Sequence, residues 1–222
     1  MAKKLAVVGA GPGLGRGVAR AFDGAGFRIG LIARNAERLG GLASELRDAV
    51  ALPADILDRD ALTAALGEFG DVDALVYSPS PTGAITGAAE TTVEAASAQL
   101  DLHVLGAVAA VGAVLPGMLA RGSGTILLTT GASSAVPVPV LGNVGIAMAG
   151  LRNWAHALHV ELAPKGVHVS TVTIATAIAA GGGAGDPDAI GARYFEQHER
   201  RNLAEVVVGD LDAVRRQFAP AR

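Results

Sequence analysis

The chain has 222 residues, with 18 Lys plus Arg against 21 Asp plus Glu for a formal net charge of −3, five His and no Cys. That length suits one buried core, so a single domain over residues 1–222 is expected, and the interspersed charges offer no basic face to nucleic acid. The absence of cysteine excludes a disulfide framework and a thiolate metal site, and the opening MAKKLAVVGAG has too short an apolar run for a signal peptide, so a cytoplasmic location is expected.

From the N-terminus, short aliphatic runs alternate with helical stretches. Leu5–Val8 predicts a strand, Leu14–Phe22 a helix, Arg28–Ala33 a strand and Ala36–Asp48 a helix. Strands at Ala49–Pro53 and Asp73–Tyr77 then flank a helix over Arg59–Phe69. A long helix over Val93–Leu119, a strand Thr125–Thr130, a helix Asn143–Leu162 and a strand Val167–Thr173 complete the alternation. This spacing predicts βαβ units in one parallel sheet, doubly wound by right-handed crossovers and flanked by helices, in a Rossmann-type α/β domain. No charge occurs between Arg121 and Arg152, and Val104 to Ala120 is apolar. Gly and Pro interrupt both stretches, which therefore predict elements buried on two faces rather than a membrane span. After Thr173 a small-residue loop, Ala175–Gly185, leads to a polar helix over Pro187–Arg200 and a short run Val206–Val208. Residues 175–202 are expected to form a lid or substrate loop and its helix.

The sharpest motif is Gly9-Ala10-Gly11-Pro12-Gly13-Leu14-Gly15, which follows the first strand and opens the first helix. Glycines let the backbone turn tightly and approach a pyrophosphate, and the helix N-terminus offers free N–H groups and positive dipole. The G-x-x-x-G-x-G spacing of Gly9, Gly13 and Gly15 resembles that of short-chain dehydrogenases/reductases, with Val8 where the family usually has threonine; the resemblance runs from Lys4 to about Ile178.

The resemblance implies a nicotinamide dinucleotide, with Gly9, Gly11, Pro12, Gly13, Leu14 and Gly15 around its pyrophosphate. In the family an acid at the end of the second strand selects NAD. Here that strand ends Ala33-Arg34-Asn35, and Arg34 can donate to a 2′-phosphate, so NADP(H) is favoured over NAD(H). Asp55, followed by Ile56, stands where the family's aspartate accepts from the adenine amino group, while Asp58 is better placed to cap the next helix. Ser78 and Pro79, in Tyr77-Ser78-Pro79-Ser80, replace the family's Asn-Asn-Ala-Gly, and Thr176 follows the sixth strand; all three are expected near the cofactor.

The catalytic pattern departs from the family. Its tyrosine and lysine positions fall on Val144 and Met148, its serine on Gly131 and its asparagine on His103. The only tyrosines are Tyr77 and Tyr194, and neither has a lysine four residues on. Replacement candidates are His103 as proton donor, Thr130, Ser133 and Ser134 as carbonyl partners, and Tyr194 swinging in from the late helix beside His198; each also has a structural use in a core, a cap or a turn. Two functions follow: an oxidoreductase with a non-standard site acting on a carbonyl, imine or activated alkene of a small molecule, or an inactive NADP(H)-binding pseudoenzyme that senses or binds a partner. The apolar long helix and the one after it imply a homodimer or homotetramer, as the family commonly forms.

Overall fold

Aliphatic runs buried on both faces suit the inner strands of a covered sheet, and the computed structural model, which describes residues 2–219, has seven strands, of which the first and last in the sheet order are half-exposed edges. They are β1 (Lys4–Val8), β2 (Arg28–Ala33), β3 (Ala49–Pro53), β4 (Ala74–Tyr77), β5 (Gly124–Gly131), β6 (Val167–Ala175) and β7 (Glu205–Gly209). All neighbours are parallel, in the order β3-β2-β1-β4-β5-β6-β7. Strand order reverses between β1 and β4, and the loops leaving their carboxyl ends open the crevice where such sheets bind ligands.

Helices α1 (Leu14–Gly24), α2 (Ala36–Ser44) and α7 (Pro187–Arg200) cover one face, around Phe22, Leu39, Ile190 and Tyr194. The other face carries α3 (Arg59–Phe69), α4 (Val93–Leu100), α5 (Gly106–Ala120) and α6 (Gly142–Leu162), around Leu62, Val111, Met118 and Leu151. The stretch Val93–Ala120 is long and apolar enough to cross a membrane, yet its Ala107, Ala110, Val111 and Val114 are buried in this core.

Three features depart from expectation. The long helix contains a π turn at Asp101–Leu105. Arg59 Nη2 donates to Asp101 O, and the Tyr77 hydroxyl donates to Leu102 O, so outside donors satisfy carbonyls of the widened turn. The late helix is no lid. Gly17 and Gly191 let α1 and α7 touch backbone to backbone, since a Cβ on Gly191 would lie 2.2 Å from Gly17 O. Finally, an eighth helix, α8 (Leu211–Gln217), follows β7, with Asp210 accepting from Asp212 N and Ala213 N as its cap.

Candidate active site

Gly9 leaves β1 at φ +88°, a backbone region that glycine enters without strain. A Cβ there would lie 2.6 Å from Pro79 N and Ser78 C, so the loop after β4 closes directly on the glycine-rich turn. Gly15 serves a second close approach, for its Cβ would lie 2.9 Å from Ala10 Cα. A Cβ at Gly13, by contrast, would meet only open space beside the turn, and one at Gly11 no more than Gly9 O at 4.0 Å. Gly13 ends the turn as N-cap of α1 with no side-chain cap, and the first turn carries no acid. Bare N–H groups beside open volume are what a pyrophosphate requires, and these residues fit that group.

Two cavities meet at this turn and share Gly9, Gly11, Pro12, Pro79 and Ser80. The smaller, about 600 Å³, is lined by Arg16, Arg34, Asn35, Arg38, Asp55 and Ile56 among others. Arg16 is held by Glu45 at 2.7 Å, whereas Arg34 and Arg38 make no ion pair among the described residues. Asn35 caps α2 by accepting from Arg38 N at 2.8 Å. Asp55 Oδ1 accepts from Leu57 N at 3.0 Å, and Asp58 caps α3.

The larger cavity, about 1260 Å³, is lined by Gly13, Leu14, Gly15, Ser78, Thr176 and the C-terminal end of β5. Val144 and Met148, the two positions expected to correspond to the family's tyrosine and lysine, form part of its wall as apolar side chains. Gly131, the position expected to correspond to the family's serine, lines it as well. Thr130, itself buried, and Ser133 contribute hydroxyl-bearing residues to the lining, whereas Ser134 lies behind it and donates to Thr130 Oγ1 at 3.4 Å. Ala177, Ile178 and Ala184 of the loop after β6 line the cavity, and so do Asp210, Ala213, Val214, Gln217 and Phe218 of the α8 segment.

Two of the expected proton donors are elsewhere. His103 lies in the π turn, lines neither cavity and is 1 % exposed. Burial pushes its pKa down to about 4, so it is a neutral imidazole at neutral pH with no proton to spare. Tyr194 is fully buried on the α7 side of the sheet, its hydroxyl 2.6 Å from Thr129 Oγ1 and its pKa raised by desolvation. Neither Tyr194 nor His198, which bonds Thr125 Oγ1 at 3.0 Å inside the core, can swing into the cavity without breaking the α1–α7 packing.

Sequence reasoning missed Arg38 and the α8 segment. Arg38 was legible as the residue one turn into a helix that begins beside Arg34. The run Asp210-Leu211-Asp212-Ala213-Val214 was a capping signal too short to stand out.

The sequence pattern of the family described as short chain dehydrogenase matches residues 3–180. An uncharacterized oxidoreductase of Staphylococcus epidermidis is 29% identical over 216 residues, covering 93% of this chain and 90% of that protein. One of Staphylococcus saprophyticus is 30% identical over 182 residues, covering 77% and 76%. Among solved structures, a short-chain dehydrogenase from Rhodopseudomonas palustris superposes with a TM-score of 0.83 at 23% identity, over 94% of this chain and 98% of that one. L-Sorbose reductase from Gluconobacter frateurii, complexed with NADPH and L-sorbose, gives 0.72 at 25% identity over 78% and 70%. With the parallel seven-stranded sheet, the glycine-rich turn and the crevice it opens, these matches identify the chain as a member of the short-chain dehydrogenase/reductase family.

Proposed function

We propose that the protein is an NADP(H)-dependent oxidoreductase with a non-standard active site, acting on a carbonyl, imine or activated alkene of a small molecule held in the larger cavity. The observation that carries this reading is the pair of joined cavities at the glycine-rich turn, one edged by Arg34 and Arg38, which make no ion pair among the described residues, and the other open over Val144 and Met148. Arg34 and Arg38 would hold a 2′-phosphate by charge-assisted hydrogen bonds, with no acid at Ala33 to repel it. The N-terminus of α1 and Gly11 to Gly15 would hold the pyrophosphate, and Thr176 would stand beside the nicotinamide end. When bound, the nicotinamide supplies the hydride.

Val138, Val140, Leu141 and Ile178 give the substrate space an apolar lining against which a small molecule would pack. Ser133 and Thr130 are its polar handles beside the missing serine. Calorimetric titration of NADPH and NADH into the protein and its Arg34→Ala variant tests the reading. Tight NADPH binding that weakens in the variant is expected; failure of both nucleotides to bind overturns it.

A pseudoenzyme that keeps the nucleotide site is the second reading, favoured by the apolar pair at Val144 and Met148. NADPH binding without consumption across carbonyls, imines and enones would establish it. Exposed Val93, Leu105 and Val108 on the long helix, with Ile146 and Val160 on α6, support a homodimer or homotetramer.

A further inference from the structure

A line of polar groups runs from the cavity wall to the far edge of the sheet. Thr130 Oγ1 lies 2.7 Å from Thr173 Oγ1, and Thr173 Oγ1 donates to Glu205 Oε1 at 2.6 Å. Glu205 is held from the other side by Arg152, whose Nε and Nη2 reach its two oxygens at 2.8 and 2.5 Å. Thr130 and Thr173 are 2 % and 0 % exposed, so water does not compete for these bonds. The forked arginine and the Thr173 hydroxyl hold Glu205 below the usual carboxylate range, so it is an acceptor throughout neutral pH.

That carboxylate orders every proton behind it. Thr173 has one O–H and spends it on Glu205, so the bond between the two threonines must be donated by Thr130. Thr130, a wall residue of the large cavity, is left with lone pairs only, and Ser134 donates weakly to one of them. A carbonyl oxygen brought against Thr130 would meet another acceptor, whereas an N–H or O–H would find a partner.

We propose that the Thr130–Thr173–Glu205–Arg152 line fixes an acceptor on the substrate wall and thereby selects, among hydride acceptors, a protonated imine whose N–H docks on Thr130. This rests on the oxidoreductase reading only in taking the large cavity as the substrate's place. The chemistry closes without an acid: hydride from the reduced nicotinamide adds to the iminium carbon, and the C=N π pair moves onto nitrogen. A neutral amine and the oxidised nucleotide result, and no proton is drawn from the protein. That balance matches a wall with Val144 and Met148 where a phenol and an ammonium would have been needed for a ketone. Alcohol oxidation would also present a donor, but its proton would have to end on Glu205, which two arginine bonds make a poor base.

The test is binding, read by ligand-observed NMR on the protein alone and again with NADP⁺. The probes are protonated methylpyrroline, its N-methyl iminium, which keeps the charge and lacks the donor, and methylcyclopentanone. Wild type is expected to prefer the N–H iminium over both by at least about tenfold, the lower end of what one hydrogen bond from a charged donor supplies. Thr173→Val frees the Thr130 proton to turn toward the cavity and should bring the ratio near one, while Thr173→Ser, which keeps the hydroxyl, retains it. Equal binding of the N–H and N-methyl forms, no binding of the N–H form, or an unchanged ratio in Thr173→Val overturns the proposal. NADPH titration of the same proteins reads the nucleotide site separately, so loss of the oxidoreductase reading is distinguishable from loss of this one.

Discussion

Three histidines fold into the interior without charge, and acid should therefore unfold the protein well above the carboxylate range. His103, His168 and His198 are 1 %, 6 % and 2 % exposed, and burial pushes each pKa down to about 4. In the unfolded chain the same groups titrate near the ordinary value of about 6.5. The folded pKa values are depressed because the neutral form is favoured, so between these limits the unfolded chain binds more protons. Stability is then complete above about pH 6.5 and falls as pH drops toward 4. At about 1.36 kcal/mol per unit, the three together remove roughly 4 kcal/mol by about pH 5.5, a large share of a typical domain's 5–15 kcal/mol. The geometry agrees, since Gln197 Nε2 donates to His168 Nε2 at 3.1 Å, which requires that nitrogen to be unprotonated. Urea unfolding followed by circular dichroism at a series of pH values measures the slope. His103→Asn, at the nitrogen that has no partner among the described residues, should flatten it by about one proton. A free energy of unfolding that stays level between neutral pH and about pH 5.5 would refute the reasoning.

Arg34→Ala should weaken NADPH by about tenfold to a hundredfold, the range of a charge-assisted pair, and leave NADH within about twofold, read by calorimetry. Gly9→Ala places a methyl 2.6 Å from Pro79 N at a positive φ, so nucleotide affinity should fall by more than tenfold by fluorescence titration, with thermal stability also reduced. Gly191→Ala drives a Cβ into Gly17 O at 2.2 Å and should lower Tm by several degrees or prevent folding, without reference to any ligand. Light scattering should give the mass of two or four chains, and a monomer would leave Val93, Leu105 and Val160 without the cover proposed for them.

The sheet was legible because its inner strands are buried on both faces, and short aliphatic runs such as Leu5–Val8 and Val167–Thr173 alternate with helix-length stretches at the spacing of βαβ units. The glycine-rich turn was legible because backbone conformation and close approach dictate residue type locally, as Gly9 and Gly15 do. What failed depends on distant partners. The π turn exists because Tyr77 and Arg59 donate into it from other elements, and no local period signals that. Tyr194, with His198 one turn on, reads as a site residue only because the late helix is expected to cover the substrate; instead the buried side of α7 meets α1 through a glycine pair more than 170 residues apart in the chain, Gly17 with Gly191. The same limit explains the polar line behind the cavity. Thr130, Arg152, Thr173 and Glu205 are unremarkable one at a time, and each becomes chemically specific only when β5, β6, β7 and α6 bring them into one register. The apolar identities of Val144 and Met148 could be read from the sequence; the chemistry proposed for the cavity they line depends on the direction in which a chain of hydroxyls points its protons, and that direction is set by a carboxylate on the edge strand.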